Sequence, residues 1–182
     1  MANLCPEIVD YIAGEQCMEN MAGTSNTVYI GQKVDLEKPM EATDDVYSTP
    51  EFKAGKGLYK IECMDEKQQI QGSSLGYRKG FEQTFNFTVE AVDEVTSKLA
   101  RALNNLDIFI IVVDSDGKAQ IMYNPNKKVK FDNGGITTDT GQAAADERVS
   151  NYSAKLANSS YPNLWVTAPE EGWDSLLKSK QA

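Results

Sequence analysis

Asp114-Ser115-Asp116-Gly117 sets alternating carboxylates ahead of a glycine, as the start of a calcium loop does. Wrapping a hard cation in oxygens also requires a third acidic position before the glycine and a closing Glu at the twelfth. Both are missing, so these four residues read as a hairpin turn. Ala54-Gly55-Lys56-Gly57 places a lysine between glycines, but it lacks the GxxxxGK[ST] spacing and strand-to-helix setting of a phosphate cradle, and reads as a hinge. Glu62, Glu82 and Glu90 could pair for general acid/base work, yet each falls on the polar parity of a strand-like segment, where carboxylates simply meet water. Three Asn-x-Ser/Thr triplets begin at Asn86, Asn151 and Asn158, and without a secretion signal they are chance matches. Cys5, Cys17 and Cys63 are odd in number and form no CxxC, which predicts reduced, buried thiols. The chain has no histidine, which removes His-based triads, imidazole zinc ligands and the usual pH switch. No catalytic residue, metal site or cofactor site is predicted, and the chain is not expected to be an enzyme.

The elements that would position any other function come next. At 182 residues the length suits one globular domain with one core. A net charge of −9 argues against gripping a nucleic-acid backbone, because that binding rests on Lys and Arg displacing counterions. The longest apolar run, Ile108 to Val113, is strand-sized, so no membrane span is expected. The first seventeen residues hold Glu7 and Asp10 without Lys or Arg, unlike a signal peptide.

Alternation of apolar and polar residues predicts strands over Thr27–Leu36, Leu58–Cys63, Gln68–Gln71 and Phe81–Val92. In the last of these Phe81, Phe85, Phe87, Val89 and Ala91 share the core face. Glu82, Thr84, Asn86, Thr88 and Glu90 share the wet one. The period changes at Asp93, a natural N-cap, and Val95, Leu99, Ala102, Leu103 and Leu106 form a helical stripe over 93–105. Glu94 and Lys98 add an i,i+4 pair worth about 0.2–0.5 kcal/mol. Asp107–Asp114 is apolar on both parities, the mark of a strand covered on both faces, and turns back into Lys118–Tyr123. A parity switch predicts a bulge near Ser150–Asn151, and Leu164–Val166 reads as a last short strand. The expected class is mainly β (β+α), an antiparallel β-sandwich or barrel with one flanking helix. Its parts are an N-terminal arm (1–26), a sandwich domain (27–167) with a long loop at 37–57, and a loose C-terminal tail (168–182).

Three segments carry apolar groups with no place in the central pattern: Ile8, Tyr11 and Ile12 in the arm, Val46, Tyr47 and Phe52 in the loop, and Trp173 and Leu176 in the tail. They either fold back on their own domain or anchor on a neighbouring chain, where aromatic residues are enriched.

The stretch GYRKGFEQTFNFTVEAVDEVTSKLARALNNLDIFIIVVDSDGKAQIMY resembles the tail tube proteins of tailed bacteriophages, particularly those of phages and prophages of Bacteroides-type bacteria. The likeness rests on the glycine-plus-aromatic lead-in, the alternating strand Phe81–Val92, the helix Leu99 to Leu106 ending in Asn-Asn, and the apolar hairpin Ile110 to Tyr123. It covers residues 76–166, and the glycine often found after the second hairpin strand is Asn124 here. The resemblance implies a tail-tube-like sandwich whose copies self-assemble into hexameric rings stacked as a tube. Terminal arms and the long loop would bridge rings, and the Glu82, Thr84, Asn86, Thr88, Glu90 row would line the lumen or another wet face. It further implies other tail proteins as partners, genomic DNA passing without specific binding, and a place in the virion tail after synthesis in the host cytoplasm. The alternatives are the inner tube of a contractile injection system and a monomeric carbohydrate- or receptor-binding sandwich.

Overall fold

The computed structural model describes residues 22–180. In chain order it contains β1 (Thr24–Gln32), β2 (Ala42–Thr43), β3 (Val46–Tyr47), β4 (Tyr59–Glu62), β5 (Gln69–Ser74), β6 (Phe81–Val89), α1 (Glu94–Asn105), β7 (Ile108–Asp114), β8 (Ala119–Met122), β9 (Ile136–Asp139), β10 (Val149–Ser159) and β11 (Trp165–Val166). They form two sheets, of seven strands in the order β2-β3-β11-β8-β7-β1-β4 and of four in the order β5-β6-β10-β9. All pairings are antiparallel except β11 with β3. The protein is a mainly-β sandwich with one flanking helix.

The doubly apolar run explains the layering. β7 lies between β8 and β1, with Ile108, Ile110 and Val112 on one face and Phe109 and Ile111 on the other, all fully buried. The first face packs against Phe85, Phe87, Tyr152, Ala154 and Leu156 of the smaller sheet and Leu103 of the helix. The second face clusters with Tyr29 and Ile121 of neighbouring strands, Tyr123 just past β8 and Tyr47 of the β2–β3 hairpin, together with Met40, Leu164 and Trp173. One strand therefore serves two cores, where one was expected from length. Burying each large apolar side chain contributes about 1.5–3 kcal/mol before chain entropy is charged against it.

Gly31 is where the two faces are reconciled. It pairs with Phe109, and a Cβ there would sit 2.2 Å from Phe109 Cζ, so only a glycine lets that ring lie flat across β1.

The helix begins where Asp93 predicts. The Asp93 carboxylate accepts from the Thr96 amide at 2.8 Å while the Thr96 hydroxyl accepts from the Asp93 amide at 2.9 Å. Its stripe is only partly used: Leu99, Ala100 and Leu103 dock on the core, whereas Val95 is 72% exposed. In the first turn Thr96 is buried and Val95 faces solvent, which periodicity alone does not reveal.

Four expectations are corrected. The bulge at Ser150–Asn151 is absent: β10 pairs regularly with β6 from Ser150↔Val89 to Leu156↔Gln83, and Ser150 continues the buried row of Tyr152, Ala154 and Leu156. A small buried polar residue had the appearance of a change of face. The register instead shifts between Leu156 and Ser159. Thr24–Asn26, placed in the arm, belong to β1. The long loop does not project. β2 and β3 make a small hairpin at its centre, and Met40, Tyr47 and Phe52 lie on the second core. Nor is the tail loose: Trp173–Leu176 forms a 3-10 turn, and Leu58 and the tail exchange backbone bonds, Leu58 N–H to Leu176 O at 2.8 Å and Lys178 N–H to Leu58 O at 3.0 Å. Among the described residues the larger sheet has no second sheet over its outer face, and loop and tail supply the apolar cover that Phe109 and Ile111 require.

Candidate functional site: a polar sheet face with open edges

With Phe85 and Phe87 turned into the core, strand alternation sends their neighbours to the outer face of the smaller sheet. Register aligns the polar residues into rows across the strands. Gln71, Thr84 and Lys155 form one, Gln69, Asn86 and Ser153 a second, and Thr88, Asn151 and Thr137 a third. Glu82 lies opposite Ser73 at one end of β6, and Glu90, exposed, follows Val89 at the other. Glu82, Thr84, Asn86 and Thr88 thus alternate onto one side of β6, where Thr88 is buried and its hydroxyl donates to Asn151 Oδ1 at 2.8 Å. Lys155 is paired with Asp132 at 3.3 Å, which leaves amides and hydroxyls as the dominant chemistry. Such a surface hydrogen-bonds water well and offers phosphates no array of cations.

β5 and β9 are the outermost strands of this sheet, each paired on one side only among the described residues. Lys130 bridges Lys155 and extends the β9 edge along β10. Open edges present unpaired N–H and C=O groups that template further strand pairing. β9 and its Thr137 lack the alternation of apolar and polar residues that marks the other strands in the sequence. The β-branched run Ile136-Thr137-Thr138 was the available signal.

The expected contact residues separate into three groups. Ile8, Tyr11 and Ile12 lie outside the described residues. Val46 is 41% exposed at the far edge of the larger sheet. Tyr47, Phe52, Trp173 and Leu176 sit on their own domain. Tyr47 meets Tyr123 edge-on at 5.1 Å and Phe52 stacks on Phe109 at 6.3 Å. In this conformation these four complete the subunit that bears them.

The tail is also held by a titratable contact. The Tyr29 hydroxyl donates to Asp174 Oδ1 at 2.9 Å. Burial, with the Asp174 hydrogen bond and charge, pushes Tyr29 up to about 12, while the Tyr29 hydrogen bond and then Lys60 hold Asp174 below the usual carboxylate range. A phenol whose folded pKa is raised stabilises fully below its free value near 10 and loses that contribution as pH rises through about 12. Trp173 fluorescence is therefore expected to report tail release between about pH 10 and 12. Tyr29→Phe should remove that transition, and an identical alkaline profile in the variant contradicts the linkage.

Burial raises the Cys63 thiol to about 11, partly offset by its Gln68 hydrogen bond, which makes it a poor nucleophile. Among the described residues no group of three or more His, Cys, Asp or Glu could hold a metal ion, and no helix is long and apolar enough to cross a membrane. Compared with family models, curated proteins and solved structures, the chain finds no match in any of the three.

Proposed function

We propose that this chain is a virion structural protein whose copies join edge to edge into hexameric rings, stacked as a tail tube through which DNA passes. The observation that supports this reading best is the four-stranded sheet with a polar outer face and two open edges. Because four strands alternate in direction, β9 of one copy beside β5 of the next continues the antiparallel order, so identical copies extend the sheet without a seam. Six such sheets give about 24 strands, which at ~4.8 Å spacing and ~40° tilt close a barrel roughly 45–50 Å across, with a bore of about 35 Å for a duplex about 20 Å wide. Six copies carry roughly −54 in charge, which with a lining of amides and hydroxyls keeps phosphates from sticking.

Negative-stain electron microscopy of the purified protein at high concentration, with the mass measured by light scattering, tests the proposal. Rings or tubes with a central bore are expected. A strictly monomeric species at every concentration and salt sinks the reading.

A further inference from the structure

The β5–β6 hairpin carries opposite chemistry at its two ends. Its tip is a closed turn, with Leu75 N–H to Gly80 O at 2.9 Å and Lys79 N–H to Gly76 O at 3.1 Å. Tyr77 is 85% exposed there, the Arg78 guanidinium lies 5.1 Å from its ring, and Arg78 holds a left-handed φ of 60°. Neither Arg78 nor Lys79 joins an ion pair among the described residues. The tip is a preformed array of donors without acceptors.

At the other end, roughly 20 Å away along six residues of strand, the start of β5 borders a cleft of about 700 Å³ at the mouth of the sandwich. Glu66, Asp114, Asp116, Thr24, Gln120 and Trp165 line it. Gln120 is 8% exposed and donates through Nε2 to Asp114 Oδ2 at 2.8 Å. Its Oε1 and the Thr24 hydroxyl are buried without a partner among the described residues. Lys67 on the rim is turned toward Glu147 at 3.8 Å. Burial raises the Asp114 carboxyl and the Asp116 charge adds to this, against the lowering effects of the Gln120 hydrogen bond and Lys118. Lys67, Gln69 and Asn86 also line the cleft, but with Lys67 drawn to Glu147 the three carboxylates of Glu66, Asp114 and Asp116 dominate it beside an indole ring, a surface suited to a guanidinium or ammonium group.

Resting on the tube reading above, we infer that Arg78 and Lys79 at the hairpin tip of one copy seat in the Asp114–Gln120 cleft of the next copy along the stack. Tip and cleft occupy opposite ends of one hairpin, and with strands tilted ~40° the tip of one copy is directed diagonally toward the cleft of a copy in the next ring. Such a head-to-tail contact does not close on itself and repeats indefinitely. Charge complementarity selects a second copy as the occupant: the chain is acidic overall, and the tip displays two of its cations together.

The test compares wild type with R78E/K79E, E66K/D116K and the four-fold combination, by sedimentation and microscopy, with circular dichroism to verify folding. Each reversal is expected to leave single rings and abolish stacks, since a threefold loss at each of six parallel contacts multiplies to a roughly several-hundredfold weakening. The combined variant should recover stacking. In wild type, rising salt should dissolve stacks before rings. Tubes of normal length from R78E/K79E, or stacks indifferent to salt, overturn the hairpin assignment while leaving the tube reading intact. Wild type that forms no rings brings down the tube reading itself.

Discussion

Trp173→Ala is expected to lower unfolding stability by about 3–5 kcal/mol, the usual cost of truncating a buried large aromatic. Trp173 is 8% exposed, tilted against Tyr29 at 6.2 Å, and belongs to the cover over Phe109 and Ile111. Its loss leaves a void too deep for the short 3-10 turn to collapse into, and releases the backbone bonds between Leu58 and the tail. Urea denaturation measures the cost, and limited proteolysis should show new cleavage within residues 168–180. Trp173→Phe should retain most of the stability. A variant with less than about 1 kcal/mol of loss and intact resistance, but no assembly, would instead place the indole on a neighbouring copy.

Phe87→Ala should be as costly, about 3–5 kcal/mol, and for a different reason. Phe87 is stacked between Phe85 at 5.2 Å and Tyr152 at 4.7 Å, tying β6 to β10 at the middle of the smaller sheet. Removing the central ring of three opens a cavity that β-sheet backbone cannot close, and it loosens the strand whose other side forms the polar face. Thr84→Ala, on the same strand but facing outward, should change stability by no more than about 0.5 kcal/mol. Equal losses at the two positions in a denaturant titration would mean that the assignment of faces along β6 is wrong.

What the sequence disclosed follows from which signals are local. Strand alternation at Phe81–Val89 and the double apolarity of Ile108–Asp114 identified the sheet faces, because side-chain direction is set by the backbone period. Asp93 announced the helix start as a natural N-cap, and the structure adds the reciprocal hydrogen bonds with Thr96. The destinations of Tyr47, Phe52 and Trp173 were not legible, since an apolar residue in an irregular segment states a need for cover and not an address. The second core has no periodic signature of its own: its roof is built from Met40, Tyr47, Leu164 and Trp173, spread over more than a hundred residues. The polar face was readable on β6, but its partners Gln69, Gln71, Asn151 and Thr137 became neighbours only through register, which depends on long-range pairing. The cleft beneath the hairpin is likewise a product of topology, uniting Thr24, Asp114 and Gln120 across three strands.

The roof over the larger sheet has a thermodynamic corollary. Because it consists of two-residue strands, turns and a 3-10 segment joined by scattered backbone bonds, while the opposite core is sealed by the long ladders of β6 and β10, the two sides of β7 differ in how readily they breathe. Subglobal opening can lift the roof while the paired ladders stay shut, giving the chain a partly unlatched form that keeps its polar face and edges intact. Amide exchange would then begin at the Leu58–Leu176 seam and reach the Phe85–Tyr152 layer last.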